Sequence, residues 1–191
     1  MTLASLLSHP NDWVMGLDLS LTGTGIALIG DSGIRTGLLT SKGTKADTLE
    51  DRFTRLQTIV NQIRAHAPEN ALIVVEGPSF ASVGGAHHDR SGLWWLVVAQ
   101  LQLDHYTVVT VPPTVLKKYV TGKGNASKDD VLLAVDRRYP DAHVTDNNTA
   151  DAVVLAAMGA RFLNRPVDDL PQAQLAVMGS VTWPTLAGDA A

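Results

Sequence analysis

The chain has 191 residues, 45% of them hydrophobic and 18% charged, with a formal net charge of -4 and no cysteine. That suits one domain with a full core, and it excludes disulfide scaffolds, thiolate metal sites and a thiol nucleophile. A mildly acidic chain is not coated in basic charge for nucleic acid, although a local basic groove remains open to it, and no apolar run is long enough for a membrane span.

Residues 1–12 read as an N-terminal extension. Met1 to Pro10 lacks the basic flank and long apolar stretch of a signal peptide, so the expected location is the cytoplasm. Residues 13–20 read as a strand, followed by a turn at Leu21 to Gly25, a second strand at 26–29, a hairpin at Gly30 to Gly33 and a third strand at 34–39. Over 48–66, Leu49, Phe53, Leu56, Ile59, Val60 and Ile63 recur at helical spacing. Ala71 to Val75 is a short apolar run rich in valine and isoleucine after a helix, which predicts a buried parallel strand, stopped by Gly77 and Pro78. Gly84 to His88 reads as a flexible loop. Leu93 to Leu103 reads as a helix apolar on nearly every side, hence central or shared between two surfaces. A strand at 107–111 and helices at 114–120, 128–138 and 148–163 complete a domain spanning 13–163. The order predicts an α/β fold with a mixed sheet and packed helices. After Asn164 the composition changes, and 164–191 reads as an arm or disordered tail.

Three acids stand where acids are costly. Asp18 lies inside an apolar strand, between Leu17 and Leu19. Glu76 ends the valine-rich strand, and the crevice beyond strand C-termini is the usual site in sheets with helical crossovers. If those two strands pair in parallel, the two acids lie about 5 Å apart. Asp151 sits near the start of the last helix. It is either the N3 acid of a helix start capped by Asn148 or a third member of the cluster. Ala150, Ala152, Ala156, Ala157 and Gly159 make that helix small enough to lie close against a sheet. Three carboxylates brought together repel one another, and a hard divalent cation such as Mg²⁺ relieves this.

Between Pro112 and Lys128 there are four lysines, Lys117, Lys118, Lys123 and Lys128, and no acid. Gly122 and Gly124 precede a helix opened by Ser127 and Asp130. The pattern is either a solvated, capped turn or glycine backbone and a helix N-terminus facing a phosphate.

Taken in order, Met15-Gly-Leu-Asp18-Leu-Ser20, Val74-Val-Glu76-Gly77, the lysine and Gly-x-Gly segment, and Thr149-Ala-Asp151-Ala-Val153 resemble the RuvC family of Holliday-junction resolvases, particularly its compact phage-type members. The resemblance runs from about Trp13 to Leu163. It implies an RNase H-like fold: a five-stranded mixed sheet, its first three strands antiparallel and the rest parallel, with helices on both faces. It implies a homodimer that acts on four-way DNA junctions by paired nicks, leaving 5′-phosphate ends. Asp18, Glu76 and Asp151 match the family's metal ligands, and two Mg²⁺ ions per site are implied, with Mn²⁺ as a substitute and no nucleotide cofactor. Lys117 and Lys128 match its DNA-contacting lysines. Asn148 stands where the family has a fourth acid or a histidine, so either Asn148 or Asp146 completes the set. Phe80 is the candidate for the aromatic that follows the glutamate near the junction.

Three other readings stand beside this one: a less selective nuclease on flaps or forks, a junction-binding protein weakened in catalysis at Asn148, and an actin-like ATPase suggested by the Asp18 to Gly25 loop. The last needs two such domains, and this chain has length for one.

Overall fold

The computed structural model describes residues 13–78 and 86–185. Three antiparallel strands come first: β1 (Val14–Asp18), β2 (Gly23–Gly30) and β3 (Gly33–Thr40). Helix α1 (Leu49–His66) leads into β4 (Leu72–Glu76), and α2 (His87–Leu103) leads into β5 (Thr107–Val111). Then come α3 (Pro113–Thr121), α4 (Lys128–Arg138) and α5 (Asn147–Phe162). The sheet order is β3-β2-β1-β4-β5, with β4 parallel to both β1 and β5. The expected five-stranded mixed sheet is therefore present.

The alternation of side chains along β1 and β4 divides the core. Met15, Leu17, Ile73 and Val75 face α1 and α2, where Ile59, Ile63, Leu93 and Val97 cover them. Val14, Leu72 and Val74 face the opposite layer, built from α5 with α3 and α4. Helices thus lie on both faces. By the same period of two, Asp18 and Glu76 belong to the face that α5 covers.

Helix α5 comes unusually near the sheet because both surfaces lack bulk. A Cβ on Gly16 would lie 2.0 Å from the Ala152 carbonyl oxygen, and one on Gly25 would lie 2.0 Å from that of Asn148. Such contacts are impossible for a side chain, so only glycine permits this approach. Every residue from Thr149 to Ala160 is buried.

Two expectations change. His87 and His88, read as part of a loop, open α2, because the helix starts six residues before the apolar run. The segment after Asn164, read as an arm or disordered tail, is a docked arm as far as residue 185. It forms a short helix, α6 (Gln172–Leu175), and buries Leu170, Val177 and Val181, while Trp183 stacks on Phe162 at 4.8 Å. Its anchor is Asp168, whose carboxylate accepts from Tyr119 Oη at 3.0 Å and also from Tyr139 and Arg161. The few apolar residues in this stretch are irregularly spaced, so no periodic signal announces it. A buried ion pair and an aromatic stack hold it instead. Among the described residues, no helix is long and apolar enough to cross a membrane.

Candidate active site

The turn after β1 closes on itself through hydroxyls: Thr24 Oγ1 donates to the Ser20 carbonyl oxygen at 2.9 Å and accepts from the Ser20 N–H at 3.2 Å. It leaves Asp18 at the C-terminal end of β1, 7% exposed. Leu17 pairs with Val75 in the parallel register, which sets Asp18 beside Glu76. The two carboxyl groups are near enough to hydrogen-bond when one of them is protonated. Asp151, 8% exposed, approaches from α5. All three line one cavity of about 700 Å³, together with Asn148, Lys117 and Lys128.

The electrostatics follow from that crowding. Burial pushes the Asp18 carboxyl up to about 6, offset by its hydrogen bond to Glu76 and by the Lys128 charge. Glu76 rises to about 9, through burial first and then repulsion from Asp18 and Asp151. Asp151 rises to about 7 through burial and Asp18, with Lys128 and Lys117 pulling it back. Two lysines are therefore too little positive charge to ionise three desolvated acids. Among the described residues, no three acidic or histidine side chains form a closed cage around a single ion point. The arrangement is a close pair of acids on adjacent strands with a third acid from α5 in the same cavity.

Asp146 is placed differently from Asn148. It caps α5, accepting the N–H groups of Asn148 and Thr149 at 2.9 Å each and the Thr149 hydroxyl at 2.7 Å. It is not among the residues lining the cavity, although its charge raises Asp18 slightly. Asn148 lines the cavity and donates Nδ2 to the Gly23 carbonyl oxygen at 2.7 Å. The helix starts at Asn147, so Asp151 lies beyond its first turn and serves no capping role.

The lysines divide. Lys117 and Lys128 line the cavity of the acids, Lys118 is exposed on α3, and Lys123 lines a separate cavity. Gly122 takes φ +81°, the left-handed conformation that ends α3, and a reciprocal Ser127–Asp130 capping box opens α4 and so places Lys128 in its first turn. Phe80 lies outside the described residues.

The cavity has a wall that the sequence does not announce. His87, Arg90, Ser91, Trp94 and Trp95 of α2 line it. The signal, in hindsight, is polar: His87, Arg90 and Ser91 fall at helical spacing ahead of the apolar run. The two tryptophans separate as neighbours on a helix must. Trp94 donates Nε1–H to the Glu76 carbonyl oxygen at 2.9 Å, whereas Trp95 is 66% exposed.

A five-stranded sheet in this order, with acids at the ends of β1 and β4 and a third on the helix crossing them, defines an RNase H-like protein. No family model matches the chain. It is, however, 31% identical over 153 residues to a crossover junction endodeoxyribonuclease RuvC from Parvibaculum lavamentivorans, covering 74% of this chain and 82% of that protein. A RuvC from Rhodopirellula baltica is 29% identical, covering 81% and 89% of the two chains. The fold matches Thermus thermophilus RuvC with a TM-score of 0.57 at 18% identity, over 80% of this chain and 97% of the other. It also matches T. thermophilus RuvC in complex with a Holliday junction substrate, with a TM-score of 0.58 at 16% identity, over 80% and 96%. The chain belongs to the RuvC family of crossover junction endodeoxyribonucleases.

Proposed function

We propose that this protein is a divalent-metal-dependent endonuclease that resolves four-way DNA junctions by paired nicks. The observation that carries this reading is the meeting of Asp18, Glu76 and Asp151, remote in sequence, in one cavity flanked by Lys117 and Lys128.

The donor set fits Mg²⁺. It offers carboxylate oxygens and the Asn148 amide, whose nitrogen is already committed to Gly23, so that its carbonyl oxygen is the group left for an ion. Asp18, Glu76 and Asp151 would hold the metal, with Asn148 as the fourth contributor in preference to Asp146, whose oxygens are occupied in capping. Such ions, when bound, would supply charge stabilisation for an in-line phosphodiester displacement that leaves a 5′-phosphate. The chain's own part is positional. Strands β1 and β4 fix two acids side by side, α5 brings the third, and Lys117 and Lys128 attract the phosphate and offset charge that builds on it.

Paired nicking requires two sites, and the reading includes a homodimer. Its support is the apolar surface of α1 and α2: Leu49, Phe53, Trp95, Leu96 and Leu103 are all exposed, and Leu96 and Leu103 stand two turns apart on one side of α2. Sedimentation at micromolar concentration tests this, and a monomer would count against it.

The deciding experiment is cleavage of a synthetic four-way junction with Mg²⁺, set beside a flap and a linear duplex. The expected result is paired nicks in the junction alone, lost in Asp18→Asn while junction binding persists. Full activity in Asp18→Asn would overturn the mechanism. Equal cleavage of flap and junction would favour the less selective nuclease, and no nicking with Mg²⁺ or Mn²⁺ would leave a binding protein.

A further inference from the structure

A second cavity, of about 590 Å³, lies between α3, α4 and the 164–185 segment, with Lys123, Arg137 and Arg138 among its lining residues. The acids that also line it are Asp130 and Asp169. Asp130 is already engaged, taking the Ser127 N–H and hydroxyl in the capping box. Arg138 is the anomaly. Its Nε and Nη1 atoms are buried and have no hydrogen-bond partner among the described residues. A half-desolvated guanidinium with idle donors is costly, and such groups call for an explanation. The cavity wall itself is deliberate construction, since the Asp168 carboxylate binds Tyr119 of α3, Tyr139 at the end of α4 and Arg161 of α5, and so holds Asp169 and Gln174 in place.

We propose that this cavity is a second phosphate-binding site, taking a backbone phosphate of the DNA arm that leaves the active site. The inference rests on the nuclease reading above. Both cavities are built on α3 and α4: Lys117 and Lys128 face the acids, while Lys123, Arg137 and Arg138 face the second space. Lys128 and Arg137 are nine residues apart on one helix, so their backbone positions are separated by about 14 Å along its axis, comparable with the axial rise of roughly four nucleotides of one strand. Positive charge thus continues from the acidic notch across the lysine-bearing loop to a pocket lined by Lys123, Arg137 and Arg138. Arginine is suited to holding phosphate in such a place, through a planar set of donors and a permanent charge.

The test compares two junctions, one with arms too short to reach Arg137 near the end of α4 and one with long arms. Arg138→Gln and Arg137→Gln are measured against wild type, the second because Arg137 is exposed and its loss spares the core. Each substitution is expected to weaken binding of the long-armed junction about tenfold. It should also lower the salt slope by about one and leave the short-armed junction and its cleavage unchanged. Inorganic phosphate, titrated by calorimetry, should bind wild type and be lost in Arg138→Gln. Equal affinity of wild type and both variants for the long-armed junction, with unchanged melting, would overturn the proposal. Loss of inorganic-phosphate binding without an arm-length effect would overturn its assignment to DNA. An enzyme that cleaves junctions but shows no arm-length effect removes this inference alone, whereas one that cleaves nothing removes the reading beneath it.

Discussion

The indole N–H of Trp94 donates to the main-chain oxygen of Glu76 at 2.9 Å, tying α2 to the last residue of β4. This bond reaches Glu76 from the layer opposite α5, so the acid is held from behind while its carboxyl meets Asp18. Trp94→Phe keeps the ring in the core and deletes the donor. We expect a stability loss of about 1 kcal/mol and a fall in kcat of about fivefold at saturating Mg²⁺, with KM for the junction unchanged. Cleavage kinetics beside thermal melting separate the two effects.

A methyl group at Gly25 would strike the carbonyl oxygen of Asn148 at 2.0 Å. Gly25→Ala must therefore lift the start of α5 from the sheet, and Asn148 and Asp151 move with it. The expected cost is about 2 kcal/mol or more in denaturant unfolding, with a larger proportional loss of cleavage than of junction binding.

Asn148→Asp would turn a donor toward the Gly23 carbonyl oxygen into a second acceptor, at a site where the contact is 2.7 Å. It also adds a fourth carboxylate to a cavity with three. In chelator the variant should melt below wild type, and added Mg²⁺ should raise its melting temperature by more than it raises that of wild type. Equal metal response in both proteins would place Asn148 outside the ion-binding set.

Asp18, Glu76 and Asp151 all have folded-state values above their ordinary ones, 3.8 to about 6, 4.5 to about 9 and 3.8 to about 7. An acid shifted upward holds its proton longer in the folded chain. The stability it contributes is present below its unfolded value and lost as pH rises through the folded one. Without metal, the protein should therefore lose stability from about pH 4 to about pH 9 through these groups. Mg²⁺ favours the ionised forms, so its binding should release protons and tighten as pH rises. Melting in chelator and in Mg²⁺ across that range measures both trends.

Asp168 is 1% exposed at its side chain and pairs with Arg161. Removing it takes the carboxylate from Arg161 and the acceptor from the Tyr139 hydroxyl, leaving Arg161 with Tyr119 Oη and the residue 168 carbonyl oxygen. Asp168→Ala should cost about 3 kcal/mol or more in denaturant unfolding and loosen the 164–185 segment, read by faster proteolysis after Leu163.

Much of this protein is decided locally and can be read along the chain. Alternation in β1 and β4, the small residues of α5, and acids set in apolar strands each reflect burial constraints that act on a few neighbouring residues. They announce the sheet, the close-lying helix and the three carboxylates. Other features arise from competition between partners distant in sequence. Asp146 and Asn148 are two residues apart and equally able to cap a helix, and the backbone geometry at Asp146 gave the cap to one and the cavity to the other. His87, Arg90 and Ser91 joined the site because α2 starts earlier than its apolar run, which places a polar turn beside the acids. The clasp at Asp168 joins three helices through one buried carboxylate, and only when those helices are packed does an unremarkable acid gain its partners. Sequence patterns specify which face of an element is buried, whereas the sharing of one desolvated space by 18, 76 and 151 is a property of the assembled sheet and helix.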